Sequence, residues 1–191
     1  MVGVDWQLLG KAVFHYECAG FKLIDVPWSV PGDVAAVTCS DSSRMYPFSD
    51  QVLVGSAEQS FMQMQFLGQL PPGKYVACTP CFRNEPVVDE LHQKYFMKVE
   101  LYSTEADQTG KAMAFALAVQ NFIKAWGHAP AQTKIVPTEE GLDLTLGGIE
   151  IGSYCSREHN GFRWTCGTGL AEPRFTIAKA KVLQSKAKTG R

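Results

Sequence analysis

The order of elements predicts an α+β fold, an antiparallel β-sheet flanked by helices. Three observations carry this reading. Apolar residues recur at helical spacing over 5–19, 57–68, 105–126 and from about Pro173 onward. Between these segments lie short apolar or alternating runs bounded by turn residues, the pattern of strands. Two of those runs, KYVACTPCFRNE and YFMKVELYS, are separated only by the loop 86–93, so they form one long antiparallel hairpin.

Each element follows from local chemistry. Asp5 can cap the first helix, Trp6, Leu9, Val13 and Tyr16 share a face, and Gly20 can end it. FKLIDV, 21–26, reads as a strand stopped by Pro27. The stretch 28–50 is turn-rich, with a short strand expected near 34–38, and QVLVG, 51–55, is a short apolar strand. Phe61, Met62, Met64 and Phe66 read as the core face of the helix 57–68. Pro71-Pro72-Gly73 is a turn before the hairpin. The Ala-rich stretch 105–126 is the plainest helix. Strands are expected near 133–136, 142–146, 149–156 and 162–167, and Pro173 suits the first turn of a last helix.

Composition excludes several function classes. The chain has 191 residues, enough for one domain with a substantial core. Its formal net charge of −1 does not suit a generic polyanion binder. Only the C-terminus is basic: Lys179, Lys181, Lys186, Lys188 and Arg191 stand without an acid, as a solvated helix end or a weak RNA contact. There is no apolar run of 18 residues and no signal-peptide pattern, so neither a membrane span nor secretion is expected. Six scattered cysteines favour a reduced, cytoplasmic setting. Cys78 and Cys81 form a single CxxC, but strand alternation sends them to opposite faces, which favours packing over zinc.

Four short segments carry the chemistry through their order. They are Gly20-Phe-Lys-Leu-Ile-Asp-Val-Pro27 after a helix; Ser56-Ala-Glu58 after a strand; Cys81-Phe-Arg83-Asn-Glu85 with Phe96-Met-Lys-Val-Glu100; and Glu150-Ile-Gly-Ser153 with Gly167-Thr-Gly169-Leu-Ala-Glu-Pro-Arg174. This order resembles the three signature motifs of class II aminoacyl-tRNA synthetases. Its details are similar to the seryl enzymes, with their Thr-Ala-Glu loop, CFRxE, FxKVE and EIGS strands and glycine-rich third motif. The resemblance covers roughly residues 10–180 and implies a catalytic domain over 1–185, followed by a basic flexible tail, 186–191.

It also implies a chemistry: attack of an amino-acid carboxylate on the α-phosphate of ATP. Both reactants are anions, so fixed positive charge is needed. Arg83 would bridge the α-phosphate and the carboxylate. Arg174, opening a helix after a glycine-rich turn, would hold the γ-phosphate. Phe96 would stack on adenine with Arg174 on the other side, Glu85 would accept from its amino group, and Gly169 with Gly167 would let backbone approach the ligand. Glu150 and Ser153 match the family's magnesium pair, although regular alternation puts them on opposite faces unless the strand bulges. Glu58 matches the acid that holds the α-ammonium, and Ser56, Glu100 and Cys166 would line the same amino-acid pocket. The family dimerises through its first motif, so the stretch 6–27 would pack across a twofold axis as a homodimer.

The residues also permit plainer readings: an Arg83–Glu85 ion pair at a hairpin end, Phe96 as core, Glu58 as a first-turn helix acid, Glu100 as a solvated strand residue. The pattern departs from the seryl enzymes in four ways. No N-terminal tRNA-binding arm precedes the first motif, so tRNA charging by the usual route is not expected. His92, with Lys94, replaces the arginine of the second-motif loop. Cys166 replaces an asparagine that reads the substrate, and it could join Glu100 and Cys39 around zinc, as in some atypical relatives. SREHNGFRW is short, so one pocket wall is rebuilt, and His159 reads as a loop residue. The leading expectation is ATP- and magnesium-dependent activation of a small amino acid as its adenylate, the acceptor being tRNA, a carrier protein or a small molecule. The alternatives are a catalytically silent paralogue that binds nucleotide, amino acid or RNA, and a ligase of the biotin or lipoate type.

Overall fold

A computed structural model describes residues 3–105, 107–127, 129 and 132–189. Helix α1 (Trp6–Cys18) is capped by Asp5, whose carboxylate accepts the Leu8 N–H at 2.9 Å. There follow β1 (Lys22–Leu23), β2 (Ser29–Val30), α2 (Gly32–Ala36), a 3₁₀ turn (Ser42–Arg44), β3 (Tyr46–Phe48), β4 (Gln51–Leu53) and α3 (Ala57–Phe66). The long hairpin is β5 (Lys74–Phe82) and β6 (Tyr95–Ser103). Helix α4 (Lys111–Phe122) runs into a π-helical turn (Ile123–Gly127). The chain closes with β7 (Thr133–Pro137), β8 (Leu142–Leu146), β9 (Ile149–His159), β10 (Phe162–Glu172) and α5 (Arg174–Thr189). Among the described residues no helix is long and apolar enough to cross a membrane.

Three expected elements differ. The segment near 34–38 is helix α2 rather than a strand. Too short to show a period, it coils back on Pro31, whose carbonyl accepts the Ala35 N–H at 3.1 Å, and buries Ala35 beside Val30 and Val54. The Ala-rich helix begins at Lys111 and not near 105, because Asp107 first folds a turn onto the Thr109 N–H and Gly110 follows in the left-handed region at φ +69°. The last helix continues through Lys186 and Lys188 to Thr189, residues that the sequence assigns to a tail, while Arg191 lies outside the described residues.

The main sheet has seven strands in the order β1-β5-β6-β10-β9-β8-β7. Every neighbouring pair is antiparallel except β1 and β5, which run parallel. A small sheet, β2-β4-β3, stands beside it. SREHNGFRW is the tip of the β9–β10 hairpin: Asn160 and Gly161 both take positive φ, +50° and +80°, which matches a two-residue hairpin turn to the strands' twist. His159 is accordingly the last residue of β9 and not a loop residue, and it packs near Phe66.

Alternation sends each strand's residues to two different layers. One face carries Val76, Val99, Leu101, Leu144, Ile151 and Tyr154, which form the larger core with α1, α4 and α5. The other carries Tyr75, Ala77, Tyr102, Cys155, Trp164 and Cys166, which pack with Phe61 and Met62 of α3. Cys78 belongs to the first face, whereas Cys81 lies beside Lys98 and Glu100 on the second, so the CxxC thiols do not meet. Helix α3 covers only part of the second face. The uncovered part is the floor of a cavity.

Candidate active site

The cavity measures about 410 Å³ and lies between the sheet floor, α3, the 3₁₀ turn, the β5–β6 loop and the start of α5. Arg83, Glu85, His92, Phe96, Ser56, Glu58, Glu100, Cys166, Glu150, Ser153 and Arg174 all line it. Gly169 does not. It is the extra residue of a bulge in β10, between Thr168 paired with Glu100 and Leu170 paired with Val99. A Cβ there would lie 2.8 Å from Tyr16 and 3.1 Å from Val99, on the opposite, helix-covered face. The physical reason for this glycine is therefore core packing: Tyr16 lies against it and donates its hydroxyl to the Gly169 carbonyl at 2.7 Å. Gly167 likewise leaves room for the Tyr154 ring, although its own backbone lines the cavity.

Strand period explains the floor. Phe96, Lys98 and Glu100 alternate along β6 and point the same way. Lys98 Nζ lies 2.7 Å from Glu100 Oε2 and 3.3 Å from Ser56 Oγ, and Ser56 donates to the same carboxylate oxygen at 2.5 Å. Burial acts against both charges, pushing Glu100 up and Lys98 down; the partner charge opposes it in each case, and Lys98 ends above its ordinary value. Glu100 is thus a buried, paired acid and not a solvated strand residue. Burial also lifts the Cys81 thiol to about 11 beside this pair.

Glu58 sits in the first turn of α3, 8% exposed. Its Oε1 accepts the Trp164 indole N–H at 2.8 Å and lies 3.5 Å from Arg157 Nε. Arg157 in turn reaches Glu140 at 3.2 Å. Cys166 lies beneath, with its sulfur 3.5 Å from that of Cys155. Among the described residues no group of three or more His, Cys, Asp or Glu side chains is arranged to hold a metal ion, so Cys166, Glu100 and Cys39 do not assemble as a zinc set.

At the other end the guanidinium groups gather. Arg83 follows β5, its Nε donates to the Gly55 carbonyl at 3.0 Å, and its Cζ lies 5.2 Å from the centre of the Phe96 ring. Glu85 pairs with Arg44 and not with Arg83: Arg44 Nη2 lies 2.6 Å from both carboxylate oxygens. Arg174, the first residue of α5, donates to the Leu91 carbonyl at 3.1 Å and lies 3.5 Å from Glu150 Oε1. Together with a Lys181–Glu90 ion pair, this ties the β5–β6 loop to α5. His92 is exposed and bonded to Asp89 at 3.0 Å, and the imidazole is the chief cause that holds the Asp89 carboxyl down at about 2.

The two residues matched to magnesium are brought to one side by the bulge their spacing requires. In the β8–β9 ladder Leu144 pairs with Gly152 but Thr145 pairs with Glu150, so Ile151 is the additional residue. Glu150 and Ser153 both face the cavity, while Ile151 enters the core. Asp143, opposite Ser153, lines it too. A hard divalent cation takes one or two carboxylates from protein and the rest from phosphates and water, which fits this donor set.

Known proteins can now be set beside this geometry. The profile described as tRNA synthetases class II core domain (F) matches residues 20–184. The chain belongs to the class II tRNA synthetase core-domain family. Among solved structures, the class II core is similar to PylSc, a pyrrolysyl-tRNA synthetase of Desulfitobacterium hafniense, with TM-score 0.75 and 15% identity over 92% of this chain and 68% of that one. A second structure of pyrrolysyl-tRNA synthetase from the same organism gives TM-score 0.74 and 14% identity, covering 92% and 69%. No curated protein sequence matches significantly. The α+β expectation therefore stands as a class II synthetase core: a mostly antiparallel sheet with flanking helices.

Several cavity residues of this class II core went unassigned in the sequence. Lys98 was legible, since it lies between Phe96 and Glu100 at strand spacing. Arg44, Asp143 and Arg157 were not, because each reaches the cavity from an element whose place only the tertiary fold sets.

Proposed function

We propose that this domain activates a small amino acid as its aminoacyl-adenylate at the expense of ATP, in the manner of a seryl-type class II synthetase. The observation that carries the reading is the convergence of Arg83 and Arg174 on one cavity, with Glu150 and Ser153 turned toward it by a bulge. The carboxylate and the α-phosphate oxygens are both anionic and repel one another, and Arg83 neutralises both where the new bond forms. Arg174 neutralises the far end of the triphosphate, releasing Glu150 as it does so. Glu150 and Ser153 would hold a magnesium ion, which when bound would supply further charge neutralisation to the phosphates. Phe96 offers its ring to adenine, and Glu85, held in place by Arg44, accepts from the adenine amino group. His92 adds a polar contact from the loop.

Glu58 and Glu100, with Ser56 and Cys166, form the amino-acid end. Glu100 is neutralised by Lys98, so Glu58 is the better counter-ion for the α-ammonium. The acceptor is tRNA, a carrier protein or a small molecule. Trp6, Phe14 and Leu23 are 64%, 61% and 45% exposed around one groove along α1, which suits a second copy of the chain and hence a homodimer. All six cysteines are free, which suits a reducing, cytoplasmic setting.

The decisive assay is pyrophosphate–ATP exchange screened over twenty amino acids, with and without a chelator. Exchange that depends on one amino acid and stops with the chelator supports the reading. A second reading, a silent paralogue that binds ligands without turnover, draws on one observation: Glu58 is already engaged by Trp164 and Arg157. Tight nucleotide or amino-acid binding with no exchange for any of the twenty selects it.

A further inference from the structure

Strands β9 and β10 set Cys155 and Cys166 directly opposite one another, and the two sulfurs are 3.5 Å apart. Opposed residues on antiparallel strands have Cα atoms about 4.5 to 5.5 Å apart, within the span that a disulfide bridges. Closing the bond therefore needs side-chain rotation and not strand movement. Among the described residues no other two cysteine sulfurs are in such contact, and all six thiols are free.

The two thiols are not equivalent. Cys155 accepts a hydrogen bond from Arg157 Nε at 3.1 Å, and a guanidinium favours thiolate over thiol. Cys155 and Cys166 are both lining residues of the cavity, which gives a small oxidant a route to them. A sulfur held by a guanidinium beside a second sulfur within contact is the arrangement of a nucleophilic and a resolving cysteine.

We propose that Cys155 and Cys166 are a redox-active dithiol in the cavity floor, converted to a reversible disulfide by hydrogen peroxide. The Cys155 thiolate attacks the peroxide oxygen, the O–O bond breaks, and the departing hydroxide takes up the proton Cys155 had released. The resulting sulfenic acid is attacked by the Cys166 sulfur. The S–O bond breaks, the S–S bond forms, and hydroxide leaves with the Cys166 proton as a second water. Two thiols are oxidised and one peroxide is reduced to two waters. The bridge removes the thiolate partner of Arg157 at the wall that also holds Glu58.

Mass spectrometry of the whole chain after hydrogen peroxide treatment tests this. Trypsin leaves Cys155 alone in the peptide 135–157 and Cys166 alone in 164–174. The expected product is these two peptides joined, two hydrogens lighter than their sum, and separated again by dithiothreitol. Peptides that stay separate, or Cys18 joined between molecules in their place, overturn the proposal. Arg157→Ala is expected to slow linkage by about threefold or more, since it removes the hydrogen bond that holds the Cys155 sulfur beside a fixed positive charge. An unchanged rate in a variant with wild-type circular dichroism overturns the assignment of Cys155 as nucleophile. The readout is the bond itself, so it holds whether or not the chain activates an amino acid.

Discussion

Glu172 offers the sharpest physical test of the fold, and Glu172→Gln is the perturbation. Its side chain is fully buried at the junction of β10, α5 and the start of α1. One carboxylate oxygen accepts from Thr176 at 3.0 Å, and the other has no partner. Burial is the main reason its pKa rises from the ordinary 4.5 to about 7, with Asp5 adding to it and Thr176 opposing. In the folded chain the proton is held more tightly than in the unfolded one. Stability is therefore greatest below the unfolded value and falls as pH rises from about 4.5 through about 7. At about 1.4 kcal/mol for each tenfold change in proton affinity, the loss approaches about 3 kcal/mol. For a chain of this size that corresponds to roughly 6 to 12 °C in Tm. Glutamine cannot ionise, so Glu172→Gln abolishes this dependence whatever constant offset its amide introduces. Thermal unfolding of both proteins at pH 5 and pH 8 measures it: the wild-type Tm should drop relative to the variant by that amount. Parallel curves over this range refute the argument.

Three further outcomes follow from the site and the core behind it. Arg83→Ala should lower kcat/KM for amino-acid-dependent exchange by about 10²- to 10³-fold, the effect of removing one preorganised transition-state donor; a loss under tenfold, with circular dichroism unchanged, removes Arg83 from the mechanism. Glu150→Gln should raise the magnesium concentration for half-maximal exchange several-fold while leaving the thermal midpoint nearly unchanged, and an identical magnesium titration rules out the metal assignment. Gly169→Ala should destabilise by about 1–3 kcal/mol through overpacking against Tyr16 and Val99, read as a lower urea midpoint; a neutral result means the bulge can move.

Much of the architecture was legible without coordinates, because local chemistry decides it. Period-2 runs set off by turns mark β5, β6, β8 and β10, and spacing places Phe96, Lys98 and Glu100 on one face before any tertiary contact is known. Capping by Asp5 and the apolar spacing of α1 are equally local. Short segments without a full period were not legible in this way, and α2 is the case in point.

Tertiary structure decided what lies opposite what. A bulge exists only relative to a partner strand, so nothing in Glu150-Ile-Gly-Ser153 alone says that Ile151 leaves the ladder and brings Glu150 and Ser153 together. The same holds for Gly169, whose motif suggests a ligand until Tyr16 is seen lying against it. Partner choice was equally non-local: Glu85 takes Arg44, and Cys166 takes Cys155. The sequence by itself determined which residue types and periods are present, since propensity and alternation act over a few bonds. Their pairings depend on strand order and register, which the packing of the whole chain sets.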